Sequence, residues 1–422
     1  MLDIKFIREN KDLLKKTVKN KGVDLDIDKL LGLDKERREL IQKSENIKSQ
    51  QKKLGKKDRV KAGELKEEFK KINNKLKEVK EKYNDLMLLV PNIPSDDTPV
   101  GLDESGNKEI SKWGKIPKFS FQIKNHIQLG KELDLIDIEK GVKTSGFRGY
   151  YLKNEAVLIQ MALMWHALLK LKEKGFQLMI PPTLAREFVL VGSGHFPEAK
   201  DEVFQVANPG KLSDGKEISE PMYLGGTSEP SLLAYYVDNI FNEDDLPIKL
   251  AGFSQCYRSE VGSYGKDTHG LYRLHEFMKV EQVVFCEATL KKADKLFEEM
   301  RENCEEILQE LELPYRVIQI CTGDMGAGKY KMYDIETWMP SHNKYGETHS
   351  NSNLTDWQAR RLNIKYKTKN KERKFVYTLN NTMIASPRIL IAILENFQQK
   401  DGSILIPEVL QKYLGSKIIS KK

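Results

Sequence analysis

Lys249–Phe285 reads KLAGFSQCYRSEVGSYGKDTHGLYRLHEFMKVEQVVF, and the way this stretch folds decides how the rest of the chain is arranged. Its two ends alternate like strands. Its middle carries Gly262, Gly265 and Gly270, too long for a tight hairpin and suited to folding over a ligand. On the first strand Arg258 and Glu260 stand two residues apart and share a face; on the second Arg273, Phe277 and Glu281 are spaced by four and share one too. Two guanidiniums, a ring and two carboxylates make a poor apolar face and a good nucleotide site. The guanidinium suits phosphate oxygens, the ring stacks on a base and the carboxylate takes an amino group. The alternative, a solvated antiparallel pair with scattered ion pairs, is left open by the pattern alone.

Outward from this stretch, 422 residues with 39% hydrophobic content allow a full core and two or three domains. The longest largely apolar run, Val157–Leu169, contains Gln160 and His166 and is too short for a membrane span. MLDIKFIREN places charges where a signal peptide needs an apolar stretch. Cys256, Cys286, Cys304 and Cys321 include no C-x-x-C pair, so no zinc site or disulfide framework is expected, and reduced thiols in cytoplasm are.

The net charge is +8, and between Asp28 and Val90 alone 19 Lys and Arg face 12 Asp and Glu. That segment reads as two helices, about Asp28–Gly55 and Ala62–Leu89, with Leu33, Leu40, Ile47 and Leu54 every seven residues and Leu65, Phe69, Ile72, Leu76 and Val79 by threes and fours. So thin a stripe suits a two-helix coiled coil, each arm reaching roughly 40 Å at ~1.5 Å per residue. Lys48, Lys52, Lys53, Lys56, Lys57, Arg59 and Lys61 concentrate charge at the tip. A basic projection points to a polyanion such as RNA. A coiled coil used for dimerisation is the alternative.

Residues 1–27 read as a short helix ending at Gly22, and residues 91–118, rich in proline, glycine and acids, as a linker dividing an arm, 1–110, from a second domain, 111–422. A helix over Asn154–Lys174 is apolar nearly all round, and burial or a subunit interface explains it equally. Thr227, Ser228 and Glu229 follow two glycines at the start of a helix. FVYTLNNTMIASPRILIAILENFQ reads as a strand, a turn at Asn380–Asn381 and a helix capped by Ser386, with Pro387 first inside it; its N-terminus and Arg388 aim at one place, as phosphate sites do. GDMGAGK at Gly323–Lys329 satisfies G-x-x-x-x-G-K, yet Tyr330 stands where a P-loop needs Ser or Thr, so a P-loop is rejected.

R-S-E, a glycine-rich loop and then R-x-H-x-F-x-K-V-E resembles motif 2 of class II aminoacyl-tRNA synthetases. From MLDIKFIREN to ILENFQ the chain resembles the seryl-tRNA synthetase family. YGETHSNSNLTDWQARR is similar to that family's YREISSCSNFTDFQARR, departing at Gly346, Thr348, His349 and Asn351. Leu274, Glu276 and Asn381 depart in motifs 2 and 3. The resemblance implies an α+β protein: an antiparallel two-helix coiled coil that grips the long arm of tRNA(Ser), and a catalytic domain on an antiparallel sheet flanked by helices. It implies that L-serine is activated by ATP with Mg²⁺ and passed to the tRNA 3′ end, with tRNA(Sec) a possible second acceptor, and that the 154–174 helix lies at a homodimer interface.

By the same resemblance Arg258 and Arg388 are the catalytic pair. Arg258 bridges the serine carboxylate and α-phosphate; Phe277 and Arg388 sandwich adenine; Glu260 meets its amino group and Arg273 the outer phosphates. Ser259, Leu274, Thr348, His349 and Ser350 complete the ATP site, and Glu347 holds magnesium. Thr227, Ser228, Glu229, Glu281, Asn380 and Thr382 hold serine. His349 is given no acid–base role, because the chemistry is mostly positioning and charge neutralisation. Two readings compete: a paralogue that has lost catalysis, against which Arg258, Glu260, Glu281, Glu347 and Arg388 stand, and an enzyme loading a carrier protein, against which the arm stands.

Overall fold

The computed structural model describes residues 1–54, 59–208, 210–211, 213–261 and 270–421, with Arg59 by its backbone alone. It divides into two units, Met1–Ile93 and Pro94–Lys422.

In the first unit, Asn10 ends α1 (Ile4–Glu9) and opens α2 (Lys11–Asn20), so residues 1–27 hold two helices rather than the expected one. The Asp26 side chain caps α3 (Ile27–Lys53) by accepting from the Asp28 and Lys29 amides. α4 (Arg59–Leu89) returns antiparallel to it. The expected stripe is the seam: Leu40, Ile47, Leu65, Leu76 and Val79 are buried, and Ser44 Oγ meets Asn73 Oδ1 at 3.1 Å across it. At the base Ile7, Leu14, Leu30, Tyr83 and Met87 make a small core. Beside that core Asp34, fully buried, is paired with Arg8, Arg37 and Arg38. Lys48, Lys52, Lys53 and Lys61 are exposed, whereas Lys56, Lys57 and the Arg59 side chain lie outside the described residues.

All but the first three residues of the segment read as a linker, 94–118, belong to the second unit. Ser95 N donates to the Tyr330 carbonyl at 2.8 Å, Thr322 N donates to the Pro99 carbonyl at 2.9 Å, and Lys108–Trp113 is a strand. Proline, glycine and acidic residues marked irregular backbone correctly, but the irregular backbone is bonded down rather than spanning a gap.

The sheet of this unit contains β1 (Lys108–Trp113), β2 (Gln177–Met179), β3 (Ile248–Tyr257), β4 (Glu276–Cys286), β5 (Tyr315–Gln319), β6 (Lys331–Met339), β7 (Lys344–Asn353) and β8 (Tyr377–Ala385). Its spatial order is β1-β5-β6-β7-β8-β4-β3-β2, antiparallel throughout except for β2 beside β3. Alternation sorts the side chains. Val280 and Val284 of β4, Leu379 and Met383 of β8 and Ile335 of β6 pack under three helices, α5 (Asn154–Glu173), α8 (Leu290–Glu310) and α10 (Ser386–Asn396). Each fully buried Leu or Phe in that layer contributes roughly 1.5–3 kcal/mol. Phe277, Lys279 and Glu281 alternate with them and project from the other face, which carries the site.

Candidate active site

β3 ends at Tyr257 and β4 starts at Glu276, so Arg258 and Glu260 lie beyond one strand end and Arg273 ahead of the other. Backbone return, not a shared strand face, brings them together. Arg258 N donates to the His275 carbonyl at 2.9 Å; Glu260 turns at φ 51°, and its Oε2 meets Arg273 Nη1 at 2.9 Å. Ser259 faces elsewhere, its Oγ donating to the Asp201 carbonyl at 2.7 Å. The Arg258 guanidinium lies 5.4 Å from the centre of the Phe277 ring.

The far wall comes from β7 and α10. Arg388 Nη1 donates to Glu347 Oε2 at 3.0 Å and to the Glu347 carbonyl at 2.8 Å, while its guanidinium lies 4.5 Å over the Tyr272 ring. Glu347 borders the cleft with 48% of its side chain accessible. Its surroundings push the carboxyl pKa up; Arg388, then Arg258 and Arg273, outweigh this and hold it below the ordinary value. Asp334, on β6 opposite Ser350, is pushed far above the carboxylate range by burial and by the Glu347 charge, and its Oδ1 has no hydrogen-bond partner. Thr348 and His349 border the cleft but spend their polar atoms inside the sheet: Thr348 Oγ1 donates to the Ile335 carbonyl at 3.1 Å and meets His349 Nδ1 at 2.8 Å. Burial lowers the His349 pKa to about 4. β7 carries one extra residue opposite Ile335 and Glu336, which breaks the alternation of side chains at Thr348 and His349.

A second cluster occupies the middle of the face. Lys279 Nζ lies 2.5 Å from Glu281 Oε2, their side chains 5% and 3% exposed, and Thr382 Oγ1 reaches the same oxygen at 3.4 Å. Burial raises the Glu281 pKa and Lys279 offsets only part of the rise. Glu229 Oε1 accepts from Gln358 Nε2 at 2.7 Å and from Asn380 Nδ2 at 2.8 Å. Thr227 Oγ1 accepts from the Glu229 amide at 3.3 Å, while Ser228 turns inward and donates to the Gly252 carbonyl at 3.3 Å. Asn380 and Asn381 are consecutive residues of β8, not a turn, and Ser386 is the first residue of α10, with Ala385 in the cap position. Arg258, Leu274, Phe277, Lys279, Thr382, Glu347 and Arg388 border one continuous cleft.

The residues that sequence reasoning missed are Lys279, Tyr272, Gln358 and Asp334. Lys279 was signalled by alternation, standing between Phe277 and Glu281; the others come from the fold alone. Gly323–Lys329 joins two strands and precedes no helix, which removes the P-loop context. No group of three or more metal-ligating side chains occurs among the described residues.

An antiparallel sheet with helices on one face and arginines, carboxylates and an aromatic ring on the other is the build of a class II aminoacyl-tRNA synthetase core. Residues 211–397 match the model of the tRNA synthetase class II core domain (G, H, P, S and T), and residues 1–94 that of the seryl-tRNA synthetase N-terminal domain. Similar chains include the serine–tRNA ligases of Borrelia garinii subsp. bavariensis, 42% identical over 98% of both chains, and of Deinococcus radiodurans, 42% identical over 99% of this chain and 98% of that one. Among solved structures, seryl-tRNA synthetase from Pyrococcus horikoshii complexed with ATP superposes with a TM-score of 0.89 at 37% identity, covering all of both chains. The chain belongs to the seryl-tRNA synthetase family.

Proposed function

We propose that this chain activates L-serine with ATP and transfers the seryl group to the 3′ end of tRNA(Ser). The observation that carries the reading is that Arg258 borders the same cleft as Lys279 and Thr382 on one side and Glu347 and Arg388 on the other. Serine then sits over Glu281, its amino and hydroxyl groups taken by Glu229, Glu281 and Thr382, with Thr227 and Asn380 behind them. ATP lies against Phe277 and Leu274, its adenine between Phe277 and Arg388, its amino group towards Glu260 and its outer phosphates towards Arg273. Arg258 holds the serine carboxylate against the α-phosphorus and spreads the charge that develops there. The carboxylate attacks, pyrophosphate leaves, and a ribose hydroxyl of the tRNA then attacks the seryl adenylate.

Magnesium fits the residues present. Asp334, with its orphaned buried oxygen, Glu347 and Ser350 put hard oxygen donors on adjoining strands, and fewer ligands than a full cage suit a cation that also takes phosphate oxygens. Bound there with ATP it would neutralise phosphate charge.

For the arm, the exposed Lys48, Lys52, Lys53 and Lys61 support a phosphate-tracking surface for tRNA. For a homodimer, Val157, Leu158, Met161 and Trp165 leave an apolar stripe on α5 that is 40–54% exposed, with Ile180 beyond β2 82% exposed. Trp165→Glu should convert a dimer to a monomer by sedimentation; a wild-type monomer would sink that assignment. No helix among the described residues is long and apolar enough to cross a membrane, and the four buried free thiols agree with a cytoplasmic setting.

The decisive measurement is serine-dependent ATP–pyrophosphate exchange. The full chain should exchange with serine and reject alanine by a factor on the order of 10⁴, since alanine leaves the polar pocket unpaired. Bridging out residues 28–90 should spare exchange and cripple tRNA charging. Absence of serine-dependent exchange would overturn the reading, and undiminished charging by the bridged chain would overturn the role of the arm.

A further inference from the structure

Beside the serine position lies a cavity of about 500 Å³ bordered by His195, Glu202, Gly226, Arg258 and Lys329, and also by Glu260 and Arg273, which the reading above gives to ATP. Arg258 borders both spaces. The ribose hydroxyl that takes the seryl group must approach the carbonyl held beside Arg258, and this cavity is the space on that side.

His195 follows α6 (Glu187–Ser193), in a turn made by Gly194 at φ 91°. Ser193 Oγ donates to the Leu190 carbonyl at 3.1 Å, so its lone pairs receive Nδ1–H of His195 at 2.9 Å. Nε2 is thereby the unprotonated nitrogen of a ring that borders the cavity. Gln358, on α9 (Trp357–Leu362), ties this turn to the serine end: its Nε2 donates to the Ser193 carbonyl at 2.8 Å and to Glu229 Oε1 at 2.7 Å. Burial opposes protonation of the ring most, Lys329, Arg258 and Lys279 oppose it further and Glu229 favours it, with the net pKa below the ordinary histidine value. Two further carboxylates border the cavity: Glu260, which is committed to Arg273, and Glu202, which is exposed.

We propose that His195 is the general base of the transfer step, a role that rests on the seryl-transfer reading above. The ribose hydroxyl gives its proton to Nε2 as its oxygen bonds to the seryl carbonyl carbon. The bond from that carbon to the adenylate oxygen breaks, AMP leaves with the electron pair, and the imidazolium releases its proton to solvent. Activation needs no such base, so the two half-reactions separate at this residue.

The test is rapid-quench transfer from seryl adenylate, formed on the full-length protein, to a tRNA(Ser) transcript. His195→Gln should slow single-turnover transfer on the order of 10²-fold while serine-dependent exchange changes less than about threefold. Wild-type transfer should fall in acid with an apparent pKa below about 6.5, and His195→Gln should lack that limb. If His195→Gln loses exchange as well, His195→Asn, which keeps a donor for Ser193, is judged by the same criteria. Transfer within about threefold of wild type, or slow transfer with the acid limb intact, overturns the proposal. A wild-type protein that does not exchange pyrophosphate with serine overturns the underlying reading instead.

Discussion

The two faces of the large sheet bury polar side chains to opposite ends. Under α8, Gln282, Asn381 and Asn351 stand side by side on β4, β8 and β7. Gln282 and Asn381 donate to the Met300 carbonyl, Asn351 to that of Phe297, and Asn303 to Gln282. Every side-chain amide nitrogen of that row is spent within the protein, although the side-chain oxygens of Asn303, Asn351 and Asn381 find no partner. One residue along each strand, Glu281, Thr382 and Ser350 point the other way, among charges whose partners a ligand can replace. A polar group that bonds to helix backbone holds layers together; one that bonds only to a neighbouring charge is poised for exchange. Two departures from the family pattern, Asn351 and Asn381, fall on the closed face, so they bear on layer packing rather than on serine.

Breaking the open face should cost function and leave the fold. Arg258→Ala should lower serine-dependent exchange by roughly 10⁴-fold with an unchanged melting temperature, because the proposed role sets this guanidinium against the α-phosphate, where it has charge to stabilise and little packing to lose. Near-normal exchange would show that the charge on this face is ornamental.

A smaller effect is the pH dependence of Glu281. Burial raises its pKa, so it takes up a proton at higher pH than a free glutamate; kcat/KM for serine in exchange should fall as pH drops towards that raised value, by up to tenfold per unit below it. For stability the sign reverses. The ionised group is a cost present above its raised native pKa, and it is relieved as pH falls from there towards the unfolded value near about 4.3. An acid limb that survives Glu281→Gln would assign the titration to another group.

Smallest is the closed face. Asn381→Ala removes the donor to the Met300 carbonyl and should cost about 1–2 kcal/mol in denaturant melts, with exchange altered less than tenfold. A collapse of exchange without loss of stability would erase the distinction between the faces.

Much of the molecule was legible in its sequence where one physical period governs. The arm helices were expected at Asp28–Gly55 and Ala62–Leu89 and run Ile27–Lys53 and Arg59–Leu89, since a seven-residue stripe has no other use in so polar a segment. Alternation placed Phe277 and Glu281 on one face, and by the same rule would have given Lys279. It failed where backbone geometry changes. The first strand stops at Tyr257, so Arg258 and Glu260 lie beyond it, with Glu260 itself left-handed; Thr348 and His349, implied by the resemblance alone, are taken inside by the extra residue in β7. Asn380–Asn381 has turn composition but strand geometry, because Asn381 finds a helix carbonyl and Asn380 a carboxylate. Gln358 and Asp334 were illegible for different reasons: Gln358 acquires its role from Ser193 and Glu229, far away in sequence, and Asp334 from the register of its strand against the next one.

Gly346 stands where the family form reads arginine, and a Cβ there would come 2.8 Å from the Tyr272 hydroxyl and 3.2 Å from its ring. Its absence lets Tyr272 lie along the cleft lip beneath Arg388. To an inhibitor chemist that lip is an aromatic ledge in place of a cationic one. A nucleotide mimic built to lean on it would prefer this chain over relatives with a bulky residue at that place, and enlarging Gly346 would be the direct route to resistance.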